Sequence, residues 1–216
     1  MHRLHGLVCP CSFDDSRPAD FLGVHRPQDG RIPAFVDYGR FAHLLSSTIE
    51  RWRPSFQQAH SSRDSRTPSL VSFVGQTGHG KSTLIKLLID LHVDKDQNLS
   101  TPVVGASGVT DPTSQDVHLY LDPVTQSSET PIFFADCEGL LGGEREPISA
   151  KLRRTAEKGG KSTTPLPVPV SERELSWADS TSLRSRQFAV TNLYPRLLYT
   201  FSDVIVFVLR NPRYDQ

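Results

Sequence analysis

The sequence predicts an α/β fold: a three-layer sandwich of a mostly parallel sheet with flanking helices, preceded by an irregular or helical N-terminal extension. Three observations carry that prediction. The run Leu70-Val71-Ser72-Phe73-Val74 is rich in β-branched and aromatic residues, as a buried strand is, and ends at Gly75. The glycine-rich turn Gly75-Gln76-Thr77-Gly78-His79-Gly80 then leads through Lys81-Ser82-Thr83 into good helix formers, with apolar positions at Leu84, Leu87 and Leu88. A second apolar run, Pro131-Ile132-Phe133-Phe134-Ala135-Asp136, ends in a carboxylate.

Composition narrows the class. A chain of 216 residues is long enough for one sizeable core. Lys plus Arg (24) balances Asp plus Glu (24), so no global field draws the chain to nucleic acid or anionic lipid. Three cysteines do not make a disulfide framework and point to a reducing compartment. The longest apolar run, Val204 to Leu209, is strand-sized and far short of a membrane span. Met1 to Val8 is too short and too polar for a secretory signal. A cytoplasmic protein is the expectation.

Two regions are expected, an N-terminal extension over 1–67 and the α/β domain over 68–216. Residues 1–36 show no sustained period and are predicted irregular. A helix is predicted over about 38–53, because Phe41, Leu44, Leu45, Ile49 and Trp52 fall three and four apart, Asp37 suits an N-cap and Pro54 stops it. Its apolar stripe is expected to pack on the following domain. His60 to Pro68 reads as a linker. Ser69–Val74 is the first strand of the domain, Lys81–Leu91 its first helix, and Ser100–Ser114 a loop. Asp116 to Asp122 alternates with period two, as an edge-side strand does. The polar, basic stretch from 142 to about 180, with Pro165, Pro167 and Pro169, is unusually long for a loop and is expected to be functional or disordered. Ser182–Tyr199 reads as a helix kinked at Pro195, and Asp203–Leu209 as the last strand.

The turn carries the chemistry. Gly75–Ser82 is the G-x-x-x-x-G-K-[ST] pattern in the strand–loop–helix setting it needs. Its glycines let backbone N–H groups wrap an anion at a helix N-terminus. An ordinary glycine-rich turn before a helix would not require the whole pattern. The prediction is binding of a nucleoside triphosphate with Mg²⁺. Residues Gly75, Gln76, Thr77, Gly78, His79, Gly80, Lys81, Ser82 and Thr83 would hold the phosphates, and Ser82 would also hold the metal. A site of this kind needs a second carboxylate at a strand end for Mg²⁺, and Asp136 has that place. Gly139, three residues on, offers a backbone N–H to the γ-phosphate.

Together these residues resemble the TRAFAC-class GTPases, above all the large guanylate-binding-protein-like, septin-like and immune-associated members. Gly75–Thr83 matches their G-x-T-G-x-G-K-S-T, and Asp136-Cys137-Glu138-Gly139-Leu140 is similar to the guanylate-binding form of the third motif. The resemblance spans about Ser69 to Leu209. It implies a P-loop NTPase sandwich that binds GTP with Mg²⁺, with slow hydrolysis or a GTP-dependent switch. It further implies a homodimer or a protein partner engaged through the switch regions. A switch threonine should complete the Mg²⁺ shell; Thr113 is the first choice, then Thr110, then Thr101.

The departures bear on mechanism. Leu140 stands where many small GTPases have a water-orienting glutamine, and Gly78 where guanylate-binding proteins have an arginine. No catalytic residue is assigned; a cation would come from Arg145, Arg153 or Arg154, or from a second subunit. The base-reading motif expected after Asp203–Leu209 has no counterpart in Arg210–Gln216. The sheet is therefore expected to be incomplete at its C-terminus, as in an N-terminal piece of a longer GTPase or a shortened gene product, and guanine-over-adenine selectivity is open. Two other readings stand beside the GTPase. One is a degenerate nucleotide-binding or interaction module without hydrolysis. The other is an ATP-binding P-loop protein, suggested by Leu140-Leu141-Gly142-Gly143-Glu144, although the ABC signature precedes the strand-ending Asp rather than following it. Cys9-Pro10-Cys11 with His2 and His5 has poor spacing for zinc. Cys137 reads as a spacer and not a nucleophile.

Overall fold

The computed structural model describes residues 15, 17–27, 31–52, 67–93, 98–105, 114–140, 142 and 168–209, without the side chains of 49–52. These form one mixed seven-stranded sheet with a few helices, an α/β architecture. The strands are β1 (Asp20–His25), β2 (Ala34–Asp37), β3 (Ser69–Val74), β4 (Val117–Leu121), β5 (Ile132–Cys137), β6 (Ser171–Glu174) and β7 (Val204–Phe207), in the spatial order β6-β2-β1-β4-β5-β3-β7. Only β3 makes parallel pairs, with β5 on one side and β7 on the other. The remaining four pairs are antiparallel, so the sheet is mixed and not mostly parallel as the sequence predicts, because β1, β2 and β6 join it antiparallel and β4 pairs with β5 antiparallel.

Helix α1 (Arg40–Trp52) lies where the apolar spacing and Pro54 predict, but Asp37 is not its N-cap: it ends β2 and accepts from Gly39 N at 2.8 Å. Leu44 is fully buried, and Phe41 meets Phe133 of β5 edge-on at 5.3 Å. Neighbouring Phe134 points to the opposite face and meets Phe73 of β3 edge-on at 5.9 Å. Both faces of the central strands are thus covered, which explains their nearly continuous apolar sequences. Helix α2 (Lys81–Asp90) buries Ile85 and Ile89.

Four expectations about single segments are corrected. Residues 1–36 were predicted irregular, yet β1 and β2 form a hairpin within the sheet. Consequently β4 is not edge-side: β1 covers its outer edge and all five of its residues are buried. A buried Arg40–Asp15 pair, at 2.6 and 2.5 Å, locks the N-terminal segment down, and Arg40 Nε donates to Leu119 O of β4 at 3.2 Å. The third correction concerns the stretch from 142 to 180. Its last part supplies β6, an exposed edge strand on β2; residues 143–167 lie outside the described set. The predicted C-terminal helix is also more articulated than expected. The short α3 (Arg186–Phe188) runs through a π-helical turn, Ala189–Leu193, into α4 (Tyr194–Phe201). Pro195 sits in the first turn of α4, so the irregularity falls just before it, where its ring would crowd the Thr191 carbonyl of a regular helix.

Candidate functional site

The glycine-rich turn lies at the carboxyl end of β3, between β5 and β7. Open α/β sheets form their ligand crevices at such carboxyl ends of parallel strands. Gly80 caps α2 with φ 89°, a left-handed conformation that a side chain disfavours, and the helix N-terminus opens toward the turn. The turn is stitched to the segment after β5. Leu140 N donates to Gly75 O (3.0 Å), Thr77 N to Leu140 O (3.2 Å), and Thr77 Oγ1 to Gly139 O (3.1 Å). The contact is so close at Gly139 that a Cβ there would stand 2.4 Å from Thr77 Cα. Gln76, Gly78 and Gly80 are exposed at the tip, His79 is half-buried beside them, and Thr83 is exposed on α2.

Lys81 is buried and its Nζ folds back on Gly75 O (3.2 Å) and Gln76 O (3.0 Å). Burial lowers its pKa, opposed by the nearby carboxylate of Asp136. Ser82 Oγ donates to Asp136 Oδ2 at 2.8 Å, and Ser114 Oγ donates to the same oxygen at 2.6 Å. Asp136 is fully buried, and its Oδ1 has no hydrogen-bond partner among the described residues. A buried carboxyl group flanked by two hydroxyls is an all-oxygen donor set suited to a hard cation. Among the described residues no group of three or more His, Cys, Asp or Glu could hold a metal ion.

Of the predicted residues, the turn, Lys81, Ser82, Asp136 and Gly139 converge. Thr113 and Thr110 lie outside the described residues, as do Arg145, Arg153, Arg154, Cys9, Cys11, His2 and His5. Thr101 is described, and Lys86 Nζ reaches its hydroxyl at 3.4 Å. Sequence reasoning missed Ser114. The available signal was that two hydroxyl residues, Thr113 and Ser114, stand side by side before β4.

A buried polar cluster backs the site. Glu138 is 1% exposed; Arg186 Nη2 donates to its Oε2, and Asp116 N donates to the same oxygen at 3.1 Å. Burial pushes the Glu138 carboxyl up to about 7 despite the opposing Arg186 guanidinium. Asp116 has φ 59°, unusual for a residue with a side chain, and accepts a 2.5 Å hydrogen bond from Tyr194 OH. Burial also raises the Asp116 and Tyr194 pKa values. Cys137 is fully buried and its thiol is pushed up by burial, so it stays protonated and un-nucleophilic. Among the described residues no helix is long and apolar enough to cross a membrane. No family model, curated protein or solved structure matches this chain.

Proposed function

We propose that this chain binds a nucleoside triphosphate together with Mg²⁺, in a P-loop sandwich, and that the nucleotide is GTP. The observation that carries the reading is Asp136: a fully buried carboxylate whose Oδ2 takes Ser82 and Ser114 and whose Oδ1 has no partner among the described residues, beside a glycine turn at a helix N-terminus. The phosphates would lie along Gly75–Thr83. Lys81 would exchange its two backbone carbonyls for the β- and γ-phosphate oxygens. Ser82 and Asp136 would hold Mg²⁺, with Ser114 in the place expected of a switch threonine, and Gly139 would face the γ-phosphate. The metal, when bound, would neutralise charge on the phosphate oxygens. The guanine assignment rests on the resemblance of Gly75–Thr83 and Asp136–Leu140 to the GTPase motifs. With Leu140 and Gly78 at the positions where related enzymes carry assisting groups, the reading is of slow hydrolysis or a nucleotide-dependent switch.

Equilibrium titration with fluorescent GTP and ATP analogues, each with Mg²⁺ and with EDTA, tests it. The expected result is Mg²⁺-dependent binding, with single-turnover γ-phosphate release slow. Absence of binding, or binding indifferent to EDTA, overturns the reading.

A further inference from the structure

The helical segment 186–194 grips two separate strand-end segments at once. Arg186 holds Glu138, which lies between Asp136 and Gly139. Tyr194 holds Asp116, two residues after Ser114. The two gripped residues also clasp each other, since Glu138 N donates to Asp116 O at 2.9 Å and Asp116 N to Glu138 Oε2 at 3.1 Å. The left-handed turn at Asp116 directs the chain so that Ser114 reaches Asp136 Oδ2. Gly23 of β1 leaves room for the Asp116 carboxylate, because a Cβ there would stand 3.0 Å from its Oδ2.

The π-turn makes the double grip possible. Residues eight apart on a regular α-helix lie about 80° apart around the axis. The turn Ala189–Leu193 carries an extra residue, so Arg186 and Tyr194 take the relation of residues seven apart, within about 20° of one stripe. Both side chains therefore face the sheet end together. A regular helix would aim only one of them there.

We propose that Arg186 and Tyr194 are positioning residues. Acting as a two-point clamp, they hold the Ser114–Asp116 and Glu138–Gly139 segments in the arrangement that receives the metal and the γ-phosphate. The nucleotide part of this inference rests on the function proposed above. The clamp's hydrogen bonds to Glu138 and Asp116 fall beside Gly139 and Ser114, which would face the γ-phosphate and its metal, so losing the clamp should cost a triphosphate more than a diphosphate.

The test uses the full chain and Tyr194→Phe, which removes one hydroxyl and keeps the ring in the core. Arg186→Lys serves as a conservative partner, and Tyr199→Phe, on the exposed side of the same helix, as control. In ligand-free protein, Tyr194→Phe should speed hydrogen exchange at the Asp116 and Glu138 amides about tenfold and leave the β3 amides unchanged. It should weaken Mg²⁺–GTP about tenfold while Mg²⁺–GDP stays within about twofold. Arg186→Lys should fall between wild type and Tyr194→Phe in both measurements. Exchange that rises equally in β3, exchange that does not change, or equal weakening of both nucleotides overturns the clamp. If wild type binds neither nucleotide, the function proposed above fails. The exchange measurement then still decides the clamp: local acceleration upholds it, and uniform or absent change overturns it.

Discussion

Lys81 is the one side-chain cation that the glycine turn itself supplies, and its ammonium is parked on two backbone carbonyls that a phosphate would outcompete. Lys81→Ala should weaken triphosphate binding by roughly 10- to 100-fold, the effect of one charge-assisted contact, as read by the same fluorescent titration. Unchanged affinity would show that the phosphates do not lie on this turn. Glu138 gives a pH signature. The folded protein keeps its proton up to about pH 7, whereas the unfolded chain releases it near its ordinary 4.5. Between those values the folded state binds more protons, so this group's contribution makes stability fall as pH rises from about 4.5 to 7 and level off above, by on the order of 3 kcal/mol. Chemical denaturation across that range should show the decline, and Glu138→Gln should flatten it. The contiguous parts of the site were legible in the sequence because a turn, a helix start and a strand-ending carboxylate each carry a local pattern. The clamp was not. Asp116, Arg186 and Tyr194 reach their partners across sequence separations of 22, 48 and 78 residues, and nothing local marks a half-buried arginine or a buried tyrosine as paired.

At the scale of elements, β3, α2, β5 and α1 were legible because their apolar periods match the surface each one buries. The hairpin β1–β2 was not, because its short strands Asp20–His25 and Ala34–Asp37 take their stability from β4 and β6 and not from their own composition. Strand β6 has no apolar residue at all in Ser171-Glu172-Arg173-Glu174, and pairing with β2 alone makes it a strand. The hairpin also matters to the strand beside it. Removing residues 1–37 would bare the edge of β4, whose five residues are all buried, and would delete Asp15 from the buried pair with Arg40. That truncation should leave the protein insoluble or lower its melting temperature by more than about 10 °C, the shift expected for the loss of several kcal/mol. A soluble truncated chain with an unchanged melting curve would show that the hairpin is dispensable.

Across the whole molecule the two outer strands differ. Strand β6 carries Glu172, Arg173 and Glu174, charges that discourage pairing with another sheet. Strand β7 reads Val204-Ile205-Val206-Phe207, with Val204 51% and Phe207 64% exposed, and Leu209 follows at 76%. Self-association should therefore run through β7. Phe207→Lys should reduce concentration-dependent light scattering several-fold with little loss of stability, because the side chain is already largely in solvent. Equal scattering by the variant would place the association elsewhere. The sheet order also sets a timetable. Strand β2 sits between β1 and β6, so one of its edges waits for residues made roughly 140 positions later, a delay on the order of ten seconds at ordinary rates of synthesis. Strand β2 is thus among the last of the described strands to be enclosed. For that interval the free edge of β2 is open to chaperones and to neighbouring chains.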